Sequence, residues 1–270
     1  MSAPLAAAFL RRPTRVLRAT AVTLLVCLPA LLPSCGDDAP PPAATTLTVA
    51  AASSLRELLE GSRAAFLAQH PGAELAFSFE ASSTLSRQIE EGAAFDAFLS
   101  ADAASVDRIG THLAAGTRRV FLSNRLALVG REGLADPPAD PAALAAGTQS
   151  VALAGPAVPA GKYARAWLTG KGLLAAIEPR CATADNVRAA LALVESGTAD
   201  VAFVYLTDAK IAKHATLLWT APPADDPGIA YVAAALAGRA PLAAGYVAWL
   251  GTPEFLRQAE ALGFLPPSAP

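Results

Sequence analysis

Four times in this chain a short apolar run ends in a few small or polar residues and a helical pattern begins at once. The junctions are Ala52-Ser53-Ser54, Ala81-Ser82-Ser83, Pro159-Ala160-Gly161 and Asp185-Asn186-Val187. Short strands alternating with helices in this way predict an α/β fold whose sheets are largely parallel. Each such turn also points free backbone N–H groups and the positive end of a helix dipole at whatever lies beyond the strand ends. An oxyanion is the natural occupant of that place. One junction means little, because most strand-to-helix turns use Ser, Thr or Asp only as caps; four of them, two in each half of the chain, are a different matter.

The first junction shows the local logic. Leu47–Ala52 has strand character, and Leu55, Leu58, Leu59, Ser62 and Phe66 follow at helical spacing. Ser54 is read as the N-cap of that helix, with Glu57 three places on completing a capping box. Further along, strands are expected at 73–79, 96–100, 120–122, 125–130, 150–154, 178–183, 201–205, 217–220 and 229–237. Ser82, Ser83 and Thr84 are expected to cap the second helix, and Asp185 the helix carrying Val187, Leu191 and Val194. Two helices, over 243–250 and 253–262, close the chain. The product is two α/β lobes joined by two crossings, with a ligand cleft between them. Lobe 1 comprises residues 47–124 plus 229–266, and lobe 2 residues 125–228.

The first 34 residues read as an export signal: Arg11, Arg12, Arg15 and Arg18, an apolar run from Ala19 to Leu32, then a small-residue site. Leu32-Pro33-Ser34-Cys35-Gly36 resembles a bacterial lipoprotein box, in which Cys35 becomes the lipid-bearing first residue; a plain cleaved signal is the alternative. Residues 35–46, rich in Ala and Pro, then form anchor and tether. Removing the four leader arginines from the 21 basic residues leaves 17 against 23 acidic ones, a formal charge of -6. That balance offers no basic face for nucleic acid. An anion bound here is held by local dipoles, not by bulk positive charge.

With Cys27 in the leader and Cys35 as anchor, Cys181 stands alone, and no intrachain disulfide framework remains. Cys181 is expected to be a buried structural thiol. His70, His112 and His214 are scattered and read as surface residues. The chain carries no Gly-x-Ser-x-Gly elbow, His-Glu-x-x-His pair, Walker loop or glycine-rich dinucleotide turn, and no base is placed beside the serines. An enzyme is therefore not expected, and no cofactor. Tyr205, at the end of a strand that runs toward the cleft, offers a phenolic O–H donor.

The segments Thr48–Leu55, Phe79–Leu85 with Arg87–Gly92, Phe95–Asp102, Val158–Ala164, Asn186–Glu195 and Val204–Ala209 together resemble the molybdate-binding proteins of bacterial molybdate ABC importers. The likeness runs in order from about Leu47 to Phe264. It implies a two-lobed fold of the periplasmic-binding-protein type that closes on molybdate or tungstate and delivers it to a membrane permease. It also implies a monomer at the periplasm or cell surface, and the lipoprotein box adds attachment to a membrane through lipid on Cys35. Carried over residue by residue, the family's ligand-binding positions fall on Ser54, Ser82, Ala160, Val187 and Tyr205, with Ser53 as alternative if the turn slips by one. The serines and the tyrosine supply hydroxyls; the serines, Ala160 and Val187 supply backbone N–H.

A cavity of fixed donors suits molybdate and tungstate better than the smaller sulfate, and without an acceptor carboxylate it refuses protonated phosphate. Departures from the family pattern concern Glu80, read as solvated outside the pocket or else as a carboxylate joining the metal's coordination, and Leu206-Thr207 after the tyrosine. Lys162 is read as a surface lysine with a possible steering role. Other oxyanions such as sulfate, or a small organic carboxylate, are the competing ligands. Arg87 and Arg188, the arginines available to clamp a carboxylate, are expected to face solvent.

Overall fold

The computed structural model describes residues 45–239 and 241–267. The expected export signal, Cys35 and the expected tether as far as residue 44 lie outside the described residues. The strands are β1 (Thr45–Ala52), β2 (Ala73–Glu80), β3 (Ala97–Ser100), β4 (Arg119–Ser123), β5 (Leu126–Arg131), β6 (Val151–Ala154), β7 (Cys181–Ala184), β8 (Val201–Tyr205), β9 (Ala215–Thr220) and β10 (Ala230–Ala235). The helices are α1 (Arg56–Ala68), α2 (Ser82–Glu90), α3 (Ala103–Arg108), α4 (Pro141–Ala146), α5 (Pro159–Gly170), α6 (Leu174–Ile177), α7 (Val187–Glu195), α8 (Leu206–Ile211), α9 (Pro241–Trp249) and α10 (Pro253–Ala261).

Two five-stranded sheets result, in the orders β2-β1-β3-β10-β4 and β7-β6-β8-β5-β9. In the first, β1 lies parallel to both β2 and β3, while β10 is antiparallel to β3 and β4. In the second, β6 is parallel to β7 and β8, while β5 is antiparallel to β8 and β9. Each sheet thus has one reversed strand, and in each it is the strand by which the chain enters that sheet after crossing from the other. The C-terminal ends of the parallel strands are where such sheets place a ligand.

Alternation along β1 shows how the first sheet is buried on both faces. Leu47, Val49 and Ala51 belong to one apolar cluster, shared with Leu58, Leu59 and Phe66 of α1. Ala50 turns the other way, into a second cluster with Leu85 and Ile89 of α2, Phe98 of β3 and Val106 of α3. On the α1 side, Phe66 meets Tyr246 and Trp249 of α9 edge-on at 4.9 and 5.4 Å between ring centres. Burying a side chain such as Phe66 contributes about 1.5–3 kcal/mol. The larger cluster continues into the second sheet through Leu126–Val129 and Val201–Tyr205, so one core underlies both sheets.

Several local expectations change. Ser54 does not cap α1: the chain passes through a 3₁₀ turn at Ser53–Leu55, Leu55 takes the cap position, and Glu57 turns to Arg188. Ser82 is the first residue of α2, not its cap. The cap of α7 is Asn186, whose side-chain oxygen accepts from Ala189 N–H at 3.0 Å, one residue beyond Asp185. Cys181 is half-buried on an edge strand, not fully buried, and burial raises its thiol above the usual range. His70 is half-buried, stacked on Phe66 at 4.1 Å, while His112 and His214 are exposed.

Candidate functional site

All four strand-to-helix junctions and the end of β8 meet at one cleft between the sheets. It is lined by Ala52, Ser53, Ser54, Glu80, Ala81, Ser82, Ala101, Val158, Pro159, Ala160, Asn186, Val187 and Tyr205. The five positions singled out from the sequence, Ser54, Ser82, Ala160, Val187 and Tyr205, are all brought together, and Ser53 and Glu80 with them. The walls bound a small space of about 200 Å³ that opens to solvent on one side.

Each wall is made by its own local device. Ser54 is buried in the turn after β1, and its Oγ lies 2.9 Å from the Tyr231 hydroxyl. Ser82 opens α2 at its first turn, and its Oγ accepts from Ala101 N–H at 2.9 Å, tying the turn after β3 to the site. Val158 caps α5, Pro159 takes the first helical position where a missing N–H costs nothing, and Ala160 follows in the first turn. Val187 is the first residue of α7. The first-turn N–H groups of Ser82, Ala160 and Val187 have no intrahelical acceptor by construction, and three helix N-termini converge on the cleft.

Gly161 lets α5 approach this closely. A Cβ placed on it would sit 2.2 Å from the carbonyl oxygens of Ala154 and Gly155 at the end of β6. Tyr205 ends β8 and leads directly into α8, whose Asp208 accepts the Tyr205 N–H at 3.0 Å. The Tyr205 hydroxyl is buried and has no hydrogen-bond partner among the described residues. Burial pushes its ionisation far above the usual phenol range, so it stays a donor at any ordinary pH.

Charges near the cleft are arranged differently from the sequence expectation. Glu80 is not outside the pocket: it forms part of the lining, and Asn186 Nδ2 donates to its Oε2 at 3.4 Å. Lys162 is exposed, as expected of a surface lysine, and its Nζ donates across to Asp102 Oδ2 at 3.1 Å. Arg188 does not face solvent. It bonds Glu57 of α1 and donates to Ser54 O at 3.4 Å. Its Nε also sits 2.7 Å from Asp208 Oδ1, a close ion pair without hydrogen-bond alignment. Arg87 is exposed on α2 as expected. No arginine or lysine therefore lines the cleft. Among the described residues no cluster of three or more His, Cys, Asp or Glu is placed to hold a metal ion.

The residues that sequence reasoning missed are Ala101, Asn124, Tyr231 and the cross-sheet partners Asp102 and Arg188. None carries a local signal, since Tyr231 reads as an ordinary strand residue and Asn124 as a loop residue. An arrangement of converging N–H and O–H donors around a small space is suited to enclosing a compact anion.

Comparison with known proteins agrees with this geometry. A family model described as bacterial extracellular solute-binding protein matches residues 47–265. The molybdate-binding protein ModA of Haemophilus influenzae is 35% identical over 170 residues, covering 60% of this chain and 67% of that protein. ModA of Escherichia coli is 35% identical over 176 residues, covering 62% of this chain and 68% of that protein. Among solved structures, the periplasmic molybdate-binding protein of Azotobacter vinelandii superimposes with a TM-score of 0.72 at 26% identity, over 82% of this chain and 100% of that one. Two sheets flanked by helices, a donor-lined cleft between them and a family match across nearly all the described residues lead to one conclusion: the chain belongs to the family of bacterial extracellular solute-binding proteins.

Proposed function

We propose that this protein is the extracytoplasmic receptor of an ABC importer and that its cargo is molybdate, with tungstate as a second ligand. The observation that carries the reading is the buried Tyr205 hydroxyl without a partner, in a cleft where three helix N-termini converge. A buried donor left unpaired costs about 1–3 kcal/mol, and an oxyanion in the cleft removes that cost. The receptor binds and releases its cargo unchanged, hands it to a membrane permease, and works as a monomer. Lipid on Cys35 keeps it beside that permease; intact mass of the exported protein tests this, a diacylated Cys35 being expected and an unmodified start beyond it overturning the anchor.

Ser54, Ser82 and Tyr205 supply hydroxyls, and the backbone N–H groups of Ser82, Ala160 and Val187 complete the shell, with Ser53 at its edge. Hydrogen bonds to a charged partner contribute about 1.5–3 kcal/mol each, so a shell of this kind exceeds the roughly 8 kcal/mol of micromolar binding even after substantial desolvation losses. The small space and the absence of a lining arginine disfavour an organic carboxylate. Size then selects among oxyanions, since the shorter bonds of sulfate stretch every donor contact. Glu80 adds a negative charge to one wall, engaged by Asn186, and does not replace a donor.

Calorimetry on the soluble body with molybdate, tungstate, sulfate and phosphate tests the proposal. Molybdate and tungstate are expected to bind at micromolar concentrations or tighter and sulfate at least tenfold more weakly. Tight sulfate binding without a response to molybdate overturns the cargo assignment.

A further inference from the structure

The Ser54 hydroxyl stands at the end of a chain of hydrogen bonds that begins where the protein crosses between its two sheets. Asn124 lies in the segment joining β4 to β5 and is fully buried. Its Oδ1 accepts the Arg125 N–H at 2.9 Å. A backbone N–H only donates, so this contact settles which end of the amide is oxygen. The Nδ2 end therefore donates twice: to Thr207 Oγ1 at 2.9 Å and to the Tyr231 hydroxyl at 3.3 Å. With one lone pair of its oxygen taken by Asn124, Tyr231 has its own hydrogen free for its other neighbour, Ser54 Oγ at 2.9 Å, a contact in which either hydroxyl can donate. Ser54 Oγ makes no other side-chain hydrogen bond within the described residues, and it lines the cleft. With Tyr231 as the donor, the Ser54 hydrogen is free for the cleft.

We propose that Tyr231 is a positioning residue: with Asn124 behind it, it holds the Ser54 hydroxyl as a donor pointing into the cleft. The proposal rests on the oxyanion reading of that cleft. A serine hydroxyl on its own rotates among three staggered positions and presents either a hydrogen or a lone pair. Here the amide donates into the chain, which leaves Tyr231 its hydrogen for Ser54 and Ser54 its hydrogen for the cleft, a direction that suits an anion. Burial raises the Tyr231 phenol well above its ordinary range, which keeps the relay protonated at any ordinary pH. The same polarity works against a ligand O–H at this wall, since Ser54 has no acceptor lone pair turned toward it. Both strand ends joined by the chain adjoin crossings between the sheets, so the donor is aimed from the hinge side of the cleft.

The test is a pair of double-mutant cycles read by calorimetry, using whichever oxyanion of the panel the wild type binds, so that a wrong cargo and a wrong relay give different results. Tyr231→Phe keeps the ring that packs edge-on against Phe121 and Phe264 at 6.4 and 5.5 Å and removes only the hydroxyl. It is expected to weaken binding about five- to twentyfold alone, and to cost nothing further in a Ser54→Ala background. Combined with Tyr205→Phe on the facing wall, its effect is expected to multiply independently. A loss that is the same with and without Ser54 overturns the proposal, as does unchanged affinity in the single variant. Should the phenylalanine variant fail to fold, fluorotyrosine at position 231, a stronger donor of the same shape, is expected to tighten binding, and unchanged affinity there overturns the proposal equally.

Discussion

Tyr205 and Tyr231 are both fully buried phenols, and their environments assign them opposite tasks. Tyr231 has its hydrogen bonds within the protein, whereas Tyr205 has none, and its hydroxyl is desolvated with nothing in return. Removing the Tyr205 hydroxyl therefore separates function from stability. Tyr205→Phe is expected to weaken oxyanion binding about tenfold or more, the share of one charge-assisted bond, while the ligand-free protein melts at the same temperature or higher. Calorimetry with a thermal melt checks this, and a fall in both affinity and melting temperature would mean that the phenol serves the fold. At this scale the sequence marks Tyr205 because it stands where an apolar strand ends. Ser54 is marked as a turn residue but with the wrong partner, since Glu57 meets a guanidinium from the other half of the chain and not a backbone amide.

Elements are where the sequence is most legible. Strand runs such as 201–205 and helical patterns such as Leu58, Leu59, Ser62 and Phe66 appear at their expected places because local periodicity and burial act together there. Boundaries shift where the chemistry of ends is ambiguous. Helix α5 begins at Pro159, inside the junction itself, because proline costs nothing at the first helical position. The register of that helix against β6 depends on Gly161, whose missing side chain admits the Ala154 and Gly155 carbonyls. Both obstacles are backbone, so neither yields as a flexible side chain would. Gly161→Ala is expected to cost about 1–3 kcal/mol of stability and to weaken ligand binding as the α5 N-terminus is displaced. Urea unfolding together with calorimetry reads both, and a variant indistinguishable from wild type in each would refute the close-approach argument.

At the scale of the whole molecule, Arg188 joins the two halves, reaching Glu57 and Ser54 O on one side and the fully buried Asp208 on the other. Burial raises Asp208 to about 6; the pull of Arg188 and the Tyr205 N–H offset it only in part. In the unfolded chain an aspartate titrates near 3.9. Between these values the folded state holds the proton more tightly, so stability is greater on the acid side and falls as pH rises through about 6. The size over roughly two pH units is about 3 kcal/mol. Compared with Asp208→Asn, the wild type is expected to lose ground by that order between pH 4 and pH 7. Urea unfolding of both proteins across that range measures it, and a constant difference would show that Asp208 does not titrate between the two states.

What the sequence determined by itself is the alternation of strand and helix, the four donor-bearing turns and the tyrosine at a strand end, because periodicity, capping chemistry and small residues act within a few positions of one another. What only the tertiary structure decided is which of those groups face each other and which way their hydrogens point. The Ser54 hydroxyl takes its direction from Tyr231, 177 residues away along the chain, and Tyr231 is polarised in turn by Asn124. Such contacts depend on two sheets closing onto one another, and no local pattern of residues encodes the distance across a cleft.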